Sequence, residues 1–289
     1  MPSVVRIFSA RHSFFVRLEC LTGWRPVTQS DTGDDDDDMR ARVINRDDVA
    51  LPTTSSAPST SNALARVHRR RWIRPRAAPS EKYQLFCLDR DGVINRDVGV
   101  PGVTNVDDFE LVPGAARAIR ALNDARVRVC VVTNQTAIGK GLLDEAYLND
   151  VIHAEMRRKL ADEEGARVDG IYYATKIKAE PCERRKPSPG MILEAQRDHG
   201  ALPSATVMVG DTVTDMQAAA RAGNVRRALV CTGYGELMGE KLRHANVTLP
   251  TTLRMKADDP TLSFPEECFP FEVYKDIAHC VESILNENE

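Results

Sequence analysis

From Glu81 onward, short apolar runs alternate with longer amphipathic stretches. Runs at 85–88, 127–133, 170–175, 206–209 and 227–230 have the length and composition of buried strands. Between them, residues 115–125, 143–164, 191–199 and 215–222 read as helices. In the first of these, Ala115, Ala118, Ile119 and Leu122 form an apolar stripe opposite Arg117, Arg120 and Asp124. Gly190 and Gly200 bracket the third, the latter where a helix commonly stops. Strands alternating with helices over this length predict an α/β fold: a doubly wound, Rossmann-like parallel sheet with helices on both faces. No internal repeat interrupts it. Beyond Thr232 the pattern loosens. Residues 258–271, with Pro260, Pro265 and Pro270, read as a long surface loop, and 273–285 as a closing helix with Val273, Ile277, Cys280, Val281 and Leu285 on one face.

The first eighty residues differ. Up to Ser30 they carry Arg6, Arg11, Arg17 and Arg25 among Ser, Phe and Val, with Glu19 as the only acid, a composition shared by mitochondrial presequences and untargeted flexible termini. An acidic run from Asp34 to Asp38 follows, then a Pro/Ser/Thr-rich stretch from Pro52 to Ser61, then a basic cluster with Arg69, Arg70, Arg71 and Arg74 around Trp72. The Pro/Ser/Thr-rich stretch lacks the apolar content that offsets ordering entropy, so residues 1–80 are expected to be mostly disordered and 81–289 to form one domain.

Composition adds little beyond this. A hydrophobic content of 42% over 289 residues suffices for a core, and a net charge of −3 points to no anionic partner. Seven cysteines without a C-x-x-C pair fit a reducing compartment, and no apolar run reaches the roughly 20 residues of a membrane helix. The expectation is a cytoplasmic monomer, or a mitochondrial one if the first thirty residues act as a presequence.

Candidate chemistry lies in four segments, each following a predicted strand or preceding a predicted helix. Asp89-Arg90-Asp91-Gly92 sets two carboxylates one residue apart at the end of the first strand, and the glycine suits a tight exit. Val131-Val132-Thr133-Asn134-Gln135 ends a buried run in a hydroxyl and two amides. Arg184-Arg185-Lys186-Pro187-Ser188-Pro189-Gly190 places cations before a helix. Val209-Gly210-Asp211-Thr212-Val213-Thr214-Asp215 follows a strand with Gly-Asp and a second acid. Open α/β sheets bind ligands at the carboxyl ends of their strands.

This set resembles the haloacid dehalogenase-like phosphatases, in particular the branch holding D,D-heptose 1,7-bisphosphate phosphatase and the histidinol-phosphatase domain. The likeness runs from about Tyr83 to Thr232 and includes Asp108-Phe109-Glu110-Leu111-Val112-Pro113-Gly114, Gly139-Lys140-Gly141 and Gly170-Ile171-Tyr172-Tyr173. It implies a Mg²⁺-dependent phosphatase acting on a small phosphorylated metabolite, a sugar phosphate or bisphosphate, through an aspartyl-phosphate. Asp89 would be the nucleophile and Asp91 the acid and base. Asp89, Asp91 (through its backbone carbonyl) and Asp211 would hold the metal. Thr133, Asn134, Gln135, Arg185 and Lys186 would bind phosphate and substrate, with Thr212 and Asp215 in support. Asp97 to Val100 align with substrate-contacting positions but carry different side chains.

One departure bears on cofactors. The resembled enzymes carry a zinc loop, with Cys-x-His after the third strand and Cys-x-Cys before Arg-Lys-Pro. Here Ala174 and Lys176 stand in the first pair, and Cys182 with Arg184 in the second. One thiol does not build a four-coordinate site, so no zinc is expected. No insertion between Asn95 and Ala115 is long enough for a large cap domain. Two other readings compete: a polynucleotide 3′-phosphatase, favoured only by the basic stretch 66–76, and a non-catalytic binding protein on the same fold. Trp24 and Trp72, the only tryptophans, both fall in the N-terminal segment. Native indole emission is therefore expected to be that of a water-exposed ring and to shift little on unfolding. A blue native spectrum would mean that the segment packs against something.

Overall fold

The computed structural model describes residues 82–255 and 264–287, and the backbone of a short antiparallel ribbon formed by β1 (Phe8–Ala10) and β2 (Ser13–Phe15). That ribbon lies in the stretch expected to lack regular structure. The acidic run, the basic cluster, both tryptophans and the presequence-like composition otherwise fall outside the described residues.

The sheet has seven strands: β3 (Leu85–Leu88), β4 (Arg128–Asn134), β5 (Gly170–Ala174), β6 (Thr206–Gly210), β7 (Arg226–Val230), β8 (Thr251–Leu253) and β9 (Phe271–Tyr274). Their spatial order is β5-β4-β3-β6-β7-β9-β8, parallel throughout except for β8, which pairs antiparallel with β9 at one edge. β3 lies between β4 and β6, with Leu88 level with Val131 on one side and Val209 on the other. The connections leave β3 in opposite directions, so a crevice opens beyond its carboxyl end.

Alternation along the strands divides the core. Phe86, Leu88, Val129, Val131, Val207 and Val209 pack with α1 (Ala115–Asp124), α4 (His153–Glu164) and α8 (Ile277–Asn286) on one face. Leu85, Cys87, Cys130, Val132 and Met208 pack with α5 (Gly190–His199) and α6 (Val213–Arg221) on the other. A third cluster joins Met216, Leu229, Phe271 and Val273 to Met238 and Leu242 of α7 (Glu236–His244). The doubly wound α/β fold is as expected, and among the described residues no cap domain covers the crevice.

The departures lie in the first half of helix 143–164 and beyond Thr232. The former starts as one turn, α3 (Glu145–Tyr147), passes through a π-turn (Leu148–Ile152) and only then runs into α4. The predicted closing helix 273–285 is corrected: Phe271–Tyr274 is a strand, and the helix starts at Ile277, where the Asp276 carboxylate accepts from the His279 N–H at 2.8 Å. Helical spacing from Val273 misled because Phe271 and Val273 also alternate inward at period two. Of the expected surface loop 258–271, residues 264–271 hold a 3₁₀ turn (Glu266–Cys268) and place Cys268 and Phe271 in the core. Strand β8 and helix α7 were not foreseen.

Candidate active site

The segments singled out in the sequence converge at the crevice. Asp89 follows β3, Asp211 follows β6, and Thr133 and Asn134 end β4, while a short helix α2 (Thr136–Gly139) starts one residue later. Gly92 turns the chain at φ +83°, and a Cβ there would sit 2.2 Å from Oδ2 of Asp211, so close packing of the two loops requires glycine. The Asp211 Oδ2 atom accepts from the backbone N–H of Tyr234 at 2.8 Å, and its Oδ1 is buried without a partner.

Lys186 is buried at the centre. Its ammonium lies 2.9 Å from Oδ1 of Asp89 and 2.6 Å from Oδ1 of Asp215, and donates to the carbonyl of Val132 at 2.9 Å. The Val132 contact is a hydrogen bond and the two carboxylate contacts are ion pairs. The backbone is held as firmly: Asn134 Oδ1 accepts from the Lys186 N–H and Asn134 Nδ2 donates to its carbonyl, both at 3.0 Å. Asp215 also closes the capping box of α6, its Oδ2 accepting from the N–H and hydroxyl of Thr212 at 3.0 and 2.6 Å. Asp215 and Thr212 are thus supporting residues of Lys186 and α6.

Asp89, Asp211 and Asp215 offer oxygens within 4.8 Å of one another, a grouping suited to a hard cation. Both oxygens of Asp215 are engaged, whereas Asp211 Oδ1 is free, so Asp89 and Asp211 are the carboxylates available to a metal. The carboxylate of Asp91 is turned elsewhere. Arg90, fully buried, grips it with one nitrogen at 3.0 and 2.9 Å, while Asn95 Nδ2 donates at 2.9 Å and Gln135 Nε2 at 3.1 Å. Gln135 also donates to Thr133 Oγ1 at 2.9 Å. Arg185 is half-buried; one of its nitrogens donates to Thr136 Oγ1 at 2.9 Å and to the Lys176 carbonyl at 3.1 Å. Asp89, Asp91, Thr133, Gln135, Arg185, Lys186 and Asp211 line a cleft of about 370 Å³, whose wall also includes Asp97, Val100, Lys140, Lys178, Thr214 and Tyr234.

Several members of this site carried no readable signal. Arg90 occupies the x of D-x-D, and Tyr234 contributes through a backbone N–H. Asn95 could have been suspected from its position four residues after Asp91, since its side chain returns to that carboxylate. Asn134, expected among the phosphate-binding residues, uses its side chain to seat Lys186.

The electrostatics follow from burial. Burial pushes the Asp89 carboxyl up to about 7; Lys186 opposes the rise, and Asp215 and Asp91 add to it. Burial, then the charges of Asp89 and Asp215, push Asp211 up to about 9. Asp91 goes the other way: burial works against its charge, but Arg90 and the amides of Asn95 and Gln135 hold it below the usual carboxylate range. For Lys186 the two buried carboxylates outweigh desolvation and raise it. Charge of one sign accumulates here. Three carboxylates against one ammonium leave a surplus of two negative charges, and each repelling pair at this separation is worth roughly 3 kcal/mol at an effective dielectric near 20.

Comparison with known proteins agrees with this geometry. A family model of haloacid dehalogenase-like hydrolases matches residues 28–223. The D-glycero-β-D-manno-heptose-1,7-bisphosphate 7-phosphatase of Photorhabdus laumondii is 40% identical over 153 residues, 50% of this chain and 79% of that protein. The D-glycero-α-D-manno-heptose-1,7-bisphosphate 7-phosphatase of Mycobacterium bovis is 39% identical over 133 residues, 46% of this chain and 69% of its own. Among solved structures, the D,D-heptose 1,7-bisphosphate phosphatase of B. bronchiseptica, complexed with magnesium and phosphate, superposes with a TM-score of 0.58 at 33% identity, covering 71% of this chain and 99% of that one. The chain belongs to the haloacid dehalogenase-like hydrolases. It is an enzyme of the phosphatase class, hydrolysing phosphoric monoesters.

The raised carboxyls have a sign that can be measured. With folded values above the ordinary 3.8, Asp89 and Asp211 bind more protons in the folded than in the unfolded chain between about pH 4 and 9, so their contribution to stability falls as pH rises through that window. Thermal melts in chelator should show this decline, and Asp211→Asn should flatten it. An identical slope in that variant would refute the assignment.

Proposed function

We propose that this enzyme is a Mg²⁺-dependent phosphatase that removes a phosphoryl group from a sugar bisphosphate of the heptose 1,7-bisphosphate kind, with Asp89 as nucleophile. The observation that carries the reading is the pair Asp89 and Asp211 beside Lys186: a buried surplus of two negative charges with one carboxylate oxygen, Asp211 Oδ1, lacking any partner. A divalent cation of hard character matches that surplus, and these donors are oxygens. Asp89, Asp211 and the backbone carbonyl of Asp91 would hold it; when bound, it neutralises the charge of the acids and of the phosphoryl oxygens.

The residues of the chain account for the remaining chemistry. Asp89 Oδ1 is committed to Lys186 and to the N–H of Arg90 at 2.7 Å, which leaves Oδ2 without a hydrogen bond and open to attack phosphorus. The new bond joins Asp89 to phosphorus as the bond from phosphorus to the departing sugar oxygen breaks. Asp91 gives its proton to that oxygen; an incoming phosphoryl dianion raises the proton affinity of this carboxyl by proximity. Water then attacks the aspartyl-phosphate, Asp91 takes the proton, and phosphate leaves with Asp89 restored. Lys186 and Thr133 face the non-bridging oxygens. Lys140 and Lys178, exposed on the cleft wall, stand with Arg185 as cations for a second phosphate. Zinc has no part in this reading, since the sulfur of Cys182 accepts from the Arg185 N–H at 3.3 Å and positions 174, 176 and 184 bear no zinc ligand.

Asp89→Asn is expected to lower turnover at least about 1,000-fold with folding intact, because nucleophilic attack is lost. Chelator should silence the wild type and Mg²⁺ restore it. A panel of heptose and hexose bisphosphates, their monophosphates and a 3′-phosphorylated oligonucleotide should rank the sugar bisphosphates first. Undiminished turnover by Asp89→Asn, or preference for the oligonucleotide, would overturn the proposal.

A further inference from the structure

Behind Asp91 runs a line of polar groups that the reaction described above does not use, buried at Arg90 and His153, half-buried at Asn149 and Tyr173 and reaching exposed Glu145. The Arg90 guanidinium meets the Asp91 carboxylate with one nitrogen; its other terminal nitrogen lies 3.4 Å from Nε2 of His153. The His153 Nδ1 atom is 3.3 Å from Oδ1 of Asn149, whose Nδ2 donates to the Tyr173 hydroxyl at 2.8 Å; that hydroxyl donates to Glu145 at 2.8 Å. Asn149 lies in the π-turn, and His153 follows it immediately, one helical turn beyond Asn149. Such turns interrupt regular helix at a cost and recur at functional sites.

Chemistry fixes the direction of the line. A guanidinium has donors only, so the nitrogen of His153 facing Arg90 must accept, which leaves the ring proton on Nδ1, donating to Asn149 Oδ1. The amide oxygen of Asn149 accordingly faces the ring and its nitrogen the tyrosine. A cationic ring would direct an N–H at the guanidinium. Burial, reinforced by Arg90 and Arg157, pushes His153 down to about 3, which keeps the ring neutral. Arg90 is fully buried, and its Nε has no partner. Beyond the carboxylate it serves, His153 Nε2 is therefore the acceptor that determines where the guanidinium sits.

We propose that His153 is a positioning residue for the proton-transfer step: as a neutral Nδ1–H imidazole it accepts from Arg90 and so fixes the guanidinium that aims Asp91 at the leaving oxygen. This rests on the reading of Asp91 as acid. Removing the acceptor leaves a buried N–H unpaired, and the guanidinium must turn toward another partner, taking Asp91 with it.

The test uses kcat/KM, which covers only binding and transfer to Asp89. A sugar phosphate needs a proton on its departing oxygen, whereas p-nitrophenolate leaves without one. In the full-length protein with Mg²⁺, His153→Ala should lower kcat/KM about 10- to 100-fold for the sugar phosphate and about 3-fold or less for p-nitrophenyl phosphate. His153→Gln, whose amide oxygen can accept from Arg90, should recover most of the loss. Equal losses on both substrates, no loss on either, or no recovery with glutamine would overturn the proposal. Nitrogen-resolved NMR of the wild-type protein at neutral pH checks the ring without any variant: a neutral ring with its proton on Nδ1 is expected, and an Nε2–H or doubly protonated ring would refute the line. Wild-type protein inert toward both substrates would instead sink the phosphatase reading, while the NMR result still decides the placement of His153.

Discussion

A single buried ammonium holds this active site together. The Lys186 ammonium donates to Val132 from β4 and is ion-paired with Asp89 beyond β3 and Asp215 in the first turn of α6, so three elements that diverge in sequence close on one nitrogen. A buried ion pair is weak evidence for stability, because desolvation opposes the Coulombic gain. Its role here is better described as registry. The lysine fixes the inner oxygen of Asp89, the proposed nucleophile, and leaves the outer one free, and the two amide contacts from Asn134 fix the lysine's own backbone. The same arrangement explains why the site wants a cation. One ammonium does not balance three neighbouring carboxylates, and the imbalance is relieved either by protons, as the raised values of Asp89 and Asp211 indicate, or by a divalent ion that binds between them.

Two acids one residue apart thus follow different physical rules. Asp89 faces other carboxylates and is driven toward the neutral form, while Asp91 faces a guanidinium and two amides and is held charged. The chain achieves this by leaving the strand conformation at Leu88. In a continuing strand Asp89 and Asp91 would share a face and the residue between them would point away. Because the backbone turns, with the N–H groups of Ile94 and Asn95 closing onto the Arg90 carbonyl at 2.8 and 3.0 Å, the Arg90 side chain enters the core beside Asp91.

That turn also marks where the sequence stopped being readable. The central strands and their flanking helices were legible because burial on both faces makes parallel strands nearly continuous apolar runs. Asp89, Asp211, Lys186 and Thr133 were legible because they stand at the ends of those runs. Arg90 and His153 were not, since an arginine between two acids and a histidine inside a charged helix both read as solvent-facing until the backbone is known. Tyr234 offered no signal, because it acts through an N–H that any residue carries. The helix expected from Val273 failed for another reason: residues that alternate inward also satisfy part of a helical pattern, and their place between β7 and β8 depends on contacts roughly forty and twenty residues away in sequence.

What makes this enzyme's substrate its own must lie away from the shared machinery. The loop from Lys176 to Pro189 is held by an ion pair between Lys176 and Glu180, another between Arg184 and Glu194, and the bonds of Arg185 to Thr136 and to the loop's own carbonyl. Its two ion pairs are partly exposed, so each adds little; beyond the anchorage of Lys186, the half-buried Arg185 attaches the stretch that precedes it. An arginine that braces a loop against α2 while lining the cleft couples substrate binding to loop position: any anion that draws the guanidinium away from Thr136 also loosens the wall that bears Lys178. Under the proposed function, selectivity would follow from how far a second anionic group sits from the phosphoryl under attack. A group that reaches Lys140 or Lys178 leaves the brace intact, whereas a shorter one must compete for Arg185.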